Sequence, residues 1–264
     1  MTTLVLPPRY SADSISLWRA AIESGWEVER LHGWRAPRHL KGQDVVLYGE
    51  PLFAAVVASK LGLSLLEPHF SWLPELPYCY RRREIVCTTL GEAKKRTGRA
   101  FIKPADDKCF PARVYDSGGE IPTSYILPDS TPVLISEPVI WEREFRCFVL
   151  SREVATFSIY SRGGKLAEEE DGSYRATTDE AEEAMKFMVS LVSDPAVRLP
   201  SSVVVDVGLI AGRGWAVVEA NPPWGSGIYG CDPVKVLRVI ERACIRADEI
   251  MMDDRDWIID RSAE

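Results

Sequence analysis

Two acidic side chains interrupt apolar sequence in the stretch VVVDVGLIAGRGWAVVEANPPW, near the end of the chain. The stretch predicts two strands, residues 203–210 and 215–221, joined by a hairpin loop of the four residues Ala-Gly-Arg-Gly. If Ile210 pairs with Trp215, Asp206 lies directly opposite Glu219, with Cβ atoms about 5 Å apart. Asn221, two residues after Glu219, falls on the same face. This face of the hairpin is therefore the first candidate for chemistry.

A cation is the simplest reason for two carboxylates to face each other among apolar residues. Without one they would repel each other and lose hydration. Oxygen ligands favour Mg²⁺, which takes one or two carboxylates and completes its octahedron with waters and substrate phosphates. Asp206, Glu219 and Asn221 therefore predict a nucleotide-metal site. The alternative is structural: a carboxylate that shares a proton or pairs with a nearby arginine.

Further polar groups lie on other predicted strands. Glu144 and Arg146 share one face of a strand over residues 144–150, where the guanidinium suits the oxygens of a transferred phosphoryl group. Taken alone, the two also fit a surface salt bridge. Lys103 ends a strand in FIKP and is either a phosphate ligand or an ordinary exposed lysine. In LISEPV a strand runs into a proline-stiffened linker that could hold an adenine ring.

Composition excludes several classes of protein. The 264 residues carry a net charge of −7, which argues against coating a nucleic acid. Six cysteines without CxxC spacing indicate a reducing cytoplasm, and three histidines lack metal-ligand spacing. No leader and no apolar run of about 20 residues occurs, so we expect neither secretion nor a membrane partner.

The first 70 residues alternate strand and helix signals, which predicts a parallel sheet and a small Rossmann-like lobe. No GxGxxG follows the first strand, so a dinucleotide is not expected. Arg9 and Tyr10 follow that strand, where α/β sheets bind ligands. Residues 68–80, rich in proline and aromatic residues, predict a linker on the surface. We therefore expect domains over residues 1–75, 76–139 and 140–264.

Taken in order, FIKP, ISEPV, EFR, DVG and VEANPPW resemble the ATP-grasp superfamily over roughly residues 80–235. The chain is similar in particular to a compact bacterial and phage clade of carboxylate–amine ligase-like proteins that end in a WGxGxYG-like segment, here residues 224–230. The resemblance implies an α/β (α+β) ATP-grasp fold, with an N-terminal Rossmann-like lobe and a two-lobed nucleotide-binding region.

The resemblance also implies roles for the residues above, with ATP and Mg²⁺ as cofactors. Lys103 would contact phosphates, Glu137, Pro138 and Val139 would hold adenine, and Arg146 would support the γ-phosphate. Loop 105–110 lacks the glycines usual in a phosphate lid, and Lys108 could replace their contacts. Among Arg81, Arg82 and Arg83, where the family often places another phosphate-binding base, the choice is open; Arg82 is our candidate. Candidate acceptor residues are Arg9, Tyr10, Arg162, Trp224 and Tyr229.

Three functions remain open on these grounds. The first is a ligase that activates a small-molecule or peptide carboxylate as an acyl phosphate, which an amine or thiol then attacks. The second is a kinase-like phosphotransferase that stops after phosphoryl transfer. The third is a non-catalytic nucleotide sensor or scaffold, beside the interpretation in which every polar residue is structural. The sequence leaves the acceptor and the oligomeric state open, a homodimer included.

Overall fold

The computed structural model describes residues 1–105, 109–122 and 127–258. The first lobe forms where the strand and helix signals alternate. Its elements are β1 (Thr3–Leu6), α1 (Ala12–Glu23), β2 (Glu27–Arg30), β3 (Val45–Leu47), α2 (Pro51–Leu61) and β4 (Leu63–Leu65). A capping box formed by Ser11 and Ser14 starts α1, and Pro51 occupies the first turn of α2. The strand order is β2-β1-β3, all parallel, which confirms the Rossmann-like arrangement of these three strands.

The fourth strand departs from that arrangement. β4 pairs antiparallel with the last strand of the chain, Cys244–Arg246, and not with the parallel sheet. Only Gly62, in a left-handed conformation with φ of 75°, separates α2 from β4. This connection is shorter than the roughly two to six residues of a usual αβ loop, which leaves little chain for a return alongside β3. The first lobe is therefore joined to the C-terminal end by a two-stranded ribbon.

The middle of the chain forms a four-stranded antiparallel sheet. The elements are α3 (Trp72–Glu75), α4 (Tyr78–Arg81), β5 (Ile85–Thr89), α5 (Leu90–Lys94), β6 (Ala100–Pro104), β7 (Arg113–Tyr115) and β8 (Pro132–Ser136). The strand order is β5-β8-β6-β7, and β5 is a strand that the sequence patterns did not predict. We call this sheet and α5 the small lobe.

Residues 68–80 are not a surface linker, contrary to the prediction. They form α3 and α4, and Trp72, Leu73 and Tyr80 are buried in the core that the rest of the chain builds. The indole nitrogen of Trp72 donates to the carbonyl of Arg198 at 2.6 Å. Proline is tolerated in the first turn of a helix and just before one, so the prolines that suggested a linker are compatible with two short helices.

The C-terminal lobe is a five-stranded antiparallel sheet against which two helices pack. The elements are β9 (Trp141–Leu150), β10 (Glu153–Arg162), β11 (Lys165–Leu166), α6 (Thr178–Ser193), β12 (Ser202–Ile210), β13 (Gly214–Asn221), α7 (Pro233–Ala243) and β14 (Cys244–Arg246). The strand order in the sheet is β11-β10-β9-β12-β13. Thr177 and Glu180 form a capping box at the start of α6, and Asp232 caps α7.

Two core clusters show how the lobes are joined. One continuous cluster runs from Leu4 and Leu17 of the first lobe to Phe145 and Val236 of the C-terminal lobe. The small lobe has a core of its own around Ile102 and its neighbours. Within the described residues, no helix is long and apolar enough to cross a membrane. The α+β fold predicted from the sequence is confirmed.

Candidate active site

The hairpin of β12 and β13 brings Asp206 opposite Glu219, but by a different route from the predicted one. At the turn Ile210 pairs with Gly214, so the expected pairing with the next residue is wrong by one position. The register then shifts between Val207 and Asp206, which leaves Val218 as a β-bulge. Beyond the bulge Asp206 pairs with Glu219. The two carboxylates therefore face each other because one extra residue corrects the register.

Arg146 of β9 is the direct partner of Asp206, which has no exposed surface. Its Nε donates to Oδ1 at 2.9 Å and its Nη2 to Oδ2 at 2.6 Å, while Nη1 donates to the Gly227 carbonyl at 3.0 Å. Burial alone would lower the pKa of Arg146, but the charge and hydrogen bonds of Asp206 raise it above its usual value. The guanidinium therefore remains charged. The arginine partner weighed as an alternative for the acidic pair is present at Asp206.

Glu219 has a different partner. Lys103, near the end of β6, places its Nζ 2.5 Å from Oε2 of Glu219, and so links the small lobe to the C-terminal lobe. The Asn221 amide nitrogen donates to Oε1 of Glu219 at 3.1 Å and, more weakly, to Asp206 Oδ2 at 3.4 Å. Burial opposes ionisation of Glu219, but the charge and hydrogen bond of Lys103, together with Asn221, lower its pKa to about 2. Glu219 is therefore a carboxylate at neutral pH.

The donor set near Glu219 fits magnesium. Within the described residues, no group of three histidine, cysteine or acidic side chains is placed to hold a metal ion, and the candidate ligands here are Glu219, Asp206 and the Asn221 amide. Rotation of the Asn221 amide by half a turn would present its oxygen, in place of its nitrogen, beside Glu219. One or two carboxylates, an amide and substrate phosphates make a suitable set for Mg²⁺. Asp206 could contribute only while sharing its oxygens with Arg146.

A cavity of about 1380 Å³ opens over these groups where the three lobes meet. The first lobe lines it with the loops that follow β1 and β3, which lie at the carboxyl ends of parallel strands. The small lobe contributes the end of β6 and described residues of the loop after it. The predicted site residues that line the cavity are Arg9, Lys103, Arg146, Glu219, Asn221 and Tyr229.

Glu144 lies beside this cavity and is held by two hydroxyl groups. Tyr160 donates to it at 2.9 Å and Ser161 at 2.8 Å. The register of β9 and β10 shifts at Tyr160, which lines the cavity and stacks on Tyr229 with ring centroids 5.1 Å apart. Burial raises the pKa of Tyr160, so its hydroxyl stays protonated and donates. The guanidinium carbon of Arg146 lies 5.5 Å from the Tyr160 ring centroid.

Three residues of this region were missed in the sequence: Tyr160, Tyr48 and Asp13. The Tyr48 hydroxyl donates to the Ser226 carbonyl at 3.1 Å and lies 3.3 Å from Oδ2 of Asp13. Tyr48 directly follows β3, so the rule that pointed to Arg9 after β1 would also have found it. Tyr160 carried no such signal, because a bulge inside a long strand cannot be located from the pattern of the sequence.

Several predicted site residues lie elsewhere. Arg82 donates from Nε to the Trp215 carbonyl at 3.0 Å, on the outer edge of β13. Glu137 is half-exposed and is held by the Glu84 amide at 2.8 Å and by Arg213 at 3.0 Å. The hydrogen bond from the Glu84 amide lowers the pKa of Glu137, and Arg213 lowers it further. Neither Glu137 nor its neighbours Pro138 and Val139 is among the described residues that line the large cavity.

The outlying acceptor candidates have structural partners. Trp224 is 1% exposed and donates to the Leu66 carbonyl at 2.9 Å, so it packs in the core and offers no face to a ligand. Arg162 pairs with Glu180 at the start of α6. Tyr10 is exposed, with the Arg30 guanidinium 4.0 Å from its ring centroid. Lys108 lies outside the described residues.

A small antiparallel sheet facing a larger one across a cleft, with a lysine on one side and an arginine and acidic residues on the other, defines the ATP-grasp class of protein. The sequence matches a family described as ATP-grasp domain, R-two-K clade family 2, over residues 80–239. This is more than half of the chain, and the protein belongs to that family.

Solved structures show the same fold at low sequence identity. A RimK-domain ATP-grasp protein from Sphaerobacter thermophilus DSM 20745 is 14% identical with a TM-score of 0.51, and the match covers 91% of this chain and 98% of that one. The D-cycloserine synthetase DcsG is 11% identical with a TM-score of 0.58, and the match covers 91% and 99%. At this identity the likeness establishes the fold alone. No curated protein matches the sequence.

Proposed function

We propose that this protein is an ATP- and magnesium-dependent ligase that activates a carboxylate as an acyl phosphate and joins it to an amine or a thiol. The observation that carries the proposal is the pair of cations on the acidic hairpin: Lys103 on Glu219 and Arg146 on Asp206, at the edge of one large cavity. Positive groups held beside oxygen ligands for a metal are what a triphosphate requires. Family membership favours the same chemistry.

In this proposal the hairpin residues hold the metal and the two cations bind the phosphates. Glu219 and Asn221, with a shared oxygen of Asp206, would hold Mg²⁺, which neutralises phosphate charge when bound. Lys103 would then move from Glu219 to phosphate oxygens. Arg146, fixed by Asp206, would stabilise the transferred phosphoryl group. For adenine we retain the linker of residues 137–139, which joins the small lobe to the C-terminal lobe but does not line the large cavity; the resemblance to the family alone supports this role. Arg82 is not included, since its guanidinium contacts the Trp215 carbonyl.

The proposed reaction has two steps. A carboxylate oxygen of the acceptor attacks the γ-phosphorus, the bond from that phosphorus to the bridging oxygen of the β-phosphate breaks, and ADP leaves with the electron pair. The nucleophile then attacks the acyl carbon, inorganic phosphate leaves, and the attacking nitrogen or sulfur loses a proton. Most of the rate acceleration would come from positioning and charge neutralisation.

The acceptor end of the cavity is proposed between the first lobe and Tyr229. Arg9 and Glu50 lie on the two loops that border it, both strongly exposed, with 3.6 Å between Nη1 and Oε1. Tyr229 has a φ of 47°, a strained conformation for a residue other than glycine and one that is frequent at functional sites. A small molecule or a peptide end with a carboxylate fits this region. We place the reaction in the cytoplasm.

Hydroxylamine trapping tests the proposal without knowledge of the amine. The protein is incubated with ATP, Mg²⁺, hydroxylamine and pools of amino acids, dicarboxylic acids or short peptides. An acyl phosphate would give a hydroxamate together with one equivalent of ADP. ADP formed with a stable phosphoester would identify the kinase-like alternative. Failure to bind ATP with or without Mg²⁺ would refute both and leave a scaffold.

A further inference from the structure

Arg83 contacts the β-bulge that aligns the acidic pair. It is 5% exposed, although it carries a charge, and it precedes β5 at the start of the small lobe. Its Nη1 donates to the Val217 carbonyl at 2.7 Å and its Nη2 to the Val218 carbonyl at 3.0 Å. Nη1 also donates to the Arg81 carbonyl at 3.0 Å. A single guanidinium therefore binds two consecutive carbonyl groups of β13.

That contact is specific to the bulge. In a regular strand successive carbonyl groups point to opposite edges, so one side chain cannot bind two in a row. β13 is an edge strand, which means that its outer carbonyl groups have no neighbouring strand to bond them. The planar fork of arginine can bind two acceptors at once, whereas a lysine ammonium acts as a point charge. The Arg83 contact therefore recognises the bulged form of the strand.

The alternative register shows what the bulge achieves. If the register of the turn continued without a bulge, Val218 would lie opposite Asp206, and Glu219 would lie opposite Val205. A slip of one residue moves a side chain to the other face of the sheet. Glu219 and Asn221 would then point away from Asp206, Arg146 and the cavity. The alignment of the three predicted metal ligands therefore depends on the bulge.

From this geometry we infer that Arg83 is a positioning residue, which holds the bulge at Val218 and thereby turns Glu219 and Asn221 towards Asp206. The inference rests on the proposed function for the identity of the ligand. Trp141 holds the guanidinium from the other side, with its ring centroid 4.9 Å from the guanidinium carbon. Arg83 thus connects the small lobe to the metal-binding strand without touching the metal ligands themselves.

The test compares Arg83→Gln and Arg83→Lys with Arg152→Gln. Arg152 is a matched control because it also donates to backbone carbonyl groups, those of Val192 at 2.8 Å and Val197 at 2.7 Å, on the side of α6. Affinity for a non-hydrolysable ATP analogue is measured by titration calorimetry with Mg²⁺ and with a chelator. Mg²⁺ tightens binding of the analogue by a certain factor, and we expect this factor to be about 10- to 100-fold smaller in both Arg83 variants. A loss of this size is typical when a group that orients metal ligands is removed. The affinity of the Arg83 variants without Mg²⁺ should change less than about threefold, and so should the magnesium effect in Arg152→Gln.

Two further measurements separate positioning from direct contact. Deletion of Val218 in the Arg83→Gln chain leaves Glu219 opposite Asp206 in a regular ladder, so it should restore the magnesium effect. Hydrogen exchange should show faster exchange of the amides of residues 217–221 in Arg83→Gln, without any nucleotide. This second readout decides the inference if the deletion chain does not fold, or if the wild-type protein binds no ATP and the proposed function fails.

The inference is overturned if Arg83→Gln keeps the magnesium effect of the wild-type protein, or if exchange in residues 217–221 is unchanged. An equal loss of affinity with and without Mg²⁺ would also overturn it, since Arg83 would then contact the nucleotide. Each of these results is independent of the identity of the acceptor.

Discussion

Asp206→Asn tests two contributions of the buried ion pair between Asp206 and Arg146: its effect on the free energy of unfolding and its effect on magnesium-dependent binding of ATP. Asp206 has no exposed surface and accepts two hydrogen bonds from Arg146, at 2.9 and 2.6 Å. Asparagine has nearly the same shape but no charge, and only its oxygen can accept. One of the two bonds is lost, and the amide NH₂ group faces the guanidinium. Arg146 is then a buried cation without an ionised partner.

The magnitude follows from that geometry. Removing one partner of a buried ion pair costs about 3–5 kcal/mol. Arg146 keeps its bond to the Gly227 carbonyl at 3.0 Å, and asparagine keeps one acceptor. We therefore expect a loss of about 3 kcal/mol in the free energy of unfolding, measured by urea denaturation. In addition, the affinity for ATP in the presence of Mg²⁺ should fall by at least about tenfold, because the metal site loses one ligand oxygen and one negative charge.

Asp254→Asn is the matched control. Asp254 is also fully buried and paired with an arginine, Arg242, and it accepts hydrogen bonds from Ser201 at 3.0 and 2.9 Å. It is not among the residues that line the large cavity in the described chain. The control should be destabilised by a similar amount while its magnesium-dependent binding stays unchanged. The reasoning is refuted if Asp206→Asn costs less than about 1 kcal/mol, or if both variants lose binding equally.

Two further substitutions test the electrostatics and the packing of the site. Lys103 lowers the pKa of Glu219 to about 2 from its ordinary value of 4.5. The stability that this ion pair contributes is therefore fully present above pH 4.5 and is lost as the pH falls towards 2. Urea denaturation at about pH 7 and pH 3 measures this loss. With allowance for solvent screening, the wild-type protein should lose about 1 kcal/mol more stability over this range than Lys103→Met. Equal losses in the two proteins would contradict the prediction. A Cβ at Gly208 would lie 2.7 Å from Cε3 of Trp141. Gly208→Ala should therefore cost about 1–3 kcal/mol and weaken magnesium-dependent binding through the displaced Trp141, whereas Gly33→Ala, with open space at its Cβ, should be neutral in both assays.

The sequence predicted the elements of the fold better than their pairing. The alternating strand and helix signals of the first 70 residues correctly indicated the parallel sheet of β1, β2 and β3. β4 was expected in the parallel sheet but pairs with β14, about 180 residues away in the chain. Strand patterns report which residues are apolar, but the partner of a short strand depends on the packing of the whole molecule.

The hairpin shows how a site can be predicted correctly from a wrong intermediate step. The loop has three residues between paired strand ends, not four, and the bulge at Val218 compensates for that difference. No feature of an apolar run marks which valine is bulged. The partner that marks it, Arg83, lies more than 130 residues earlier in the chain. Sequence spacing could therefore suggest the facing carboxylates but not the device that aligns them.

The roles of single polar residues were the least predictable part of the site. In the triplet of residues 81–83, the exposed Arg82 was the candidate, whereas Arg83 is the member buried against the metal-binding strand. Trp224 shares a motif with Tyr229, but Trp224 is in the core and Tyr229 lines the cavity. Adjacent residues in a loop differ in direction, and that direction is set by tertiary contacts which a local pattern does not contain.

Titration of a non-hydrolysable ATP analogue into the wild-type protein and Glu219→Gln, each with Mg²⁺ and with a chelator, tests the central claim most directly. Glu219 is the carboxylate that faces both Lys103 and the cavity, and glutamine preserves its size while removing the charge. We predict binding to the wild-type protein that Mg²⁺ strengthens, and loss of that strengthening in the variant. Binding that is absent in both proteins, or equally dependent on Mg²⁺ in both, would contradict the proposed site.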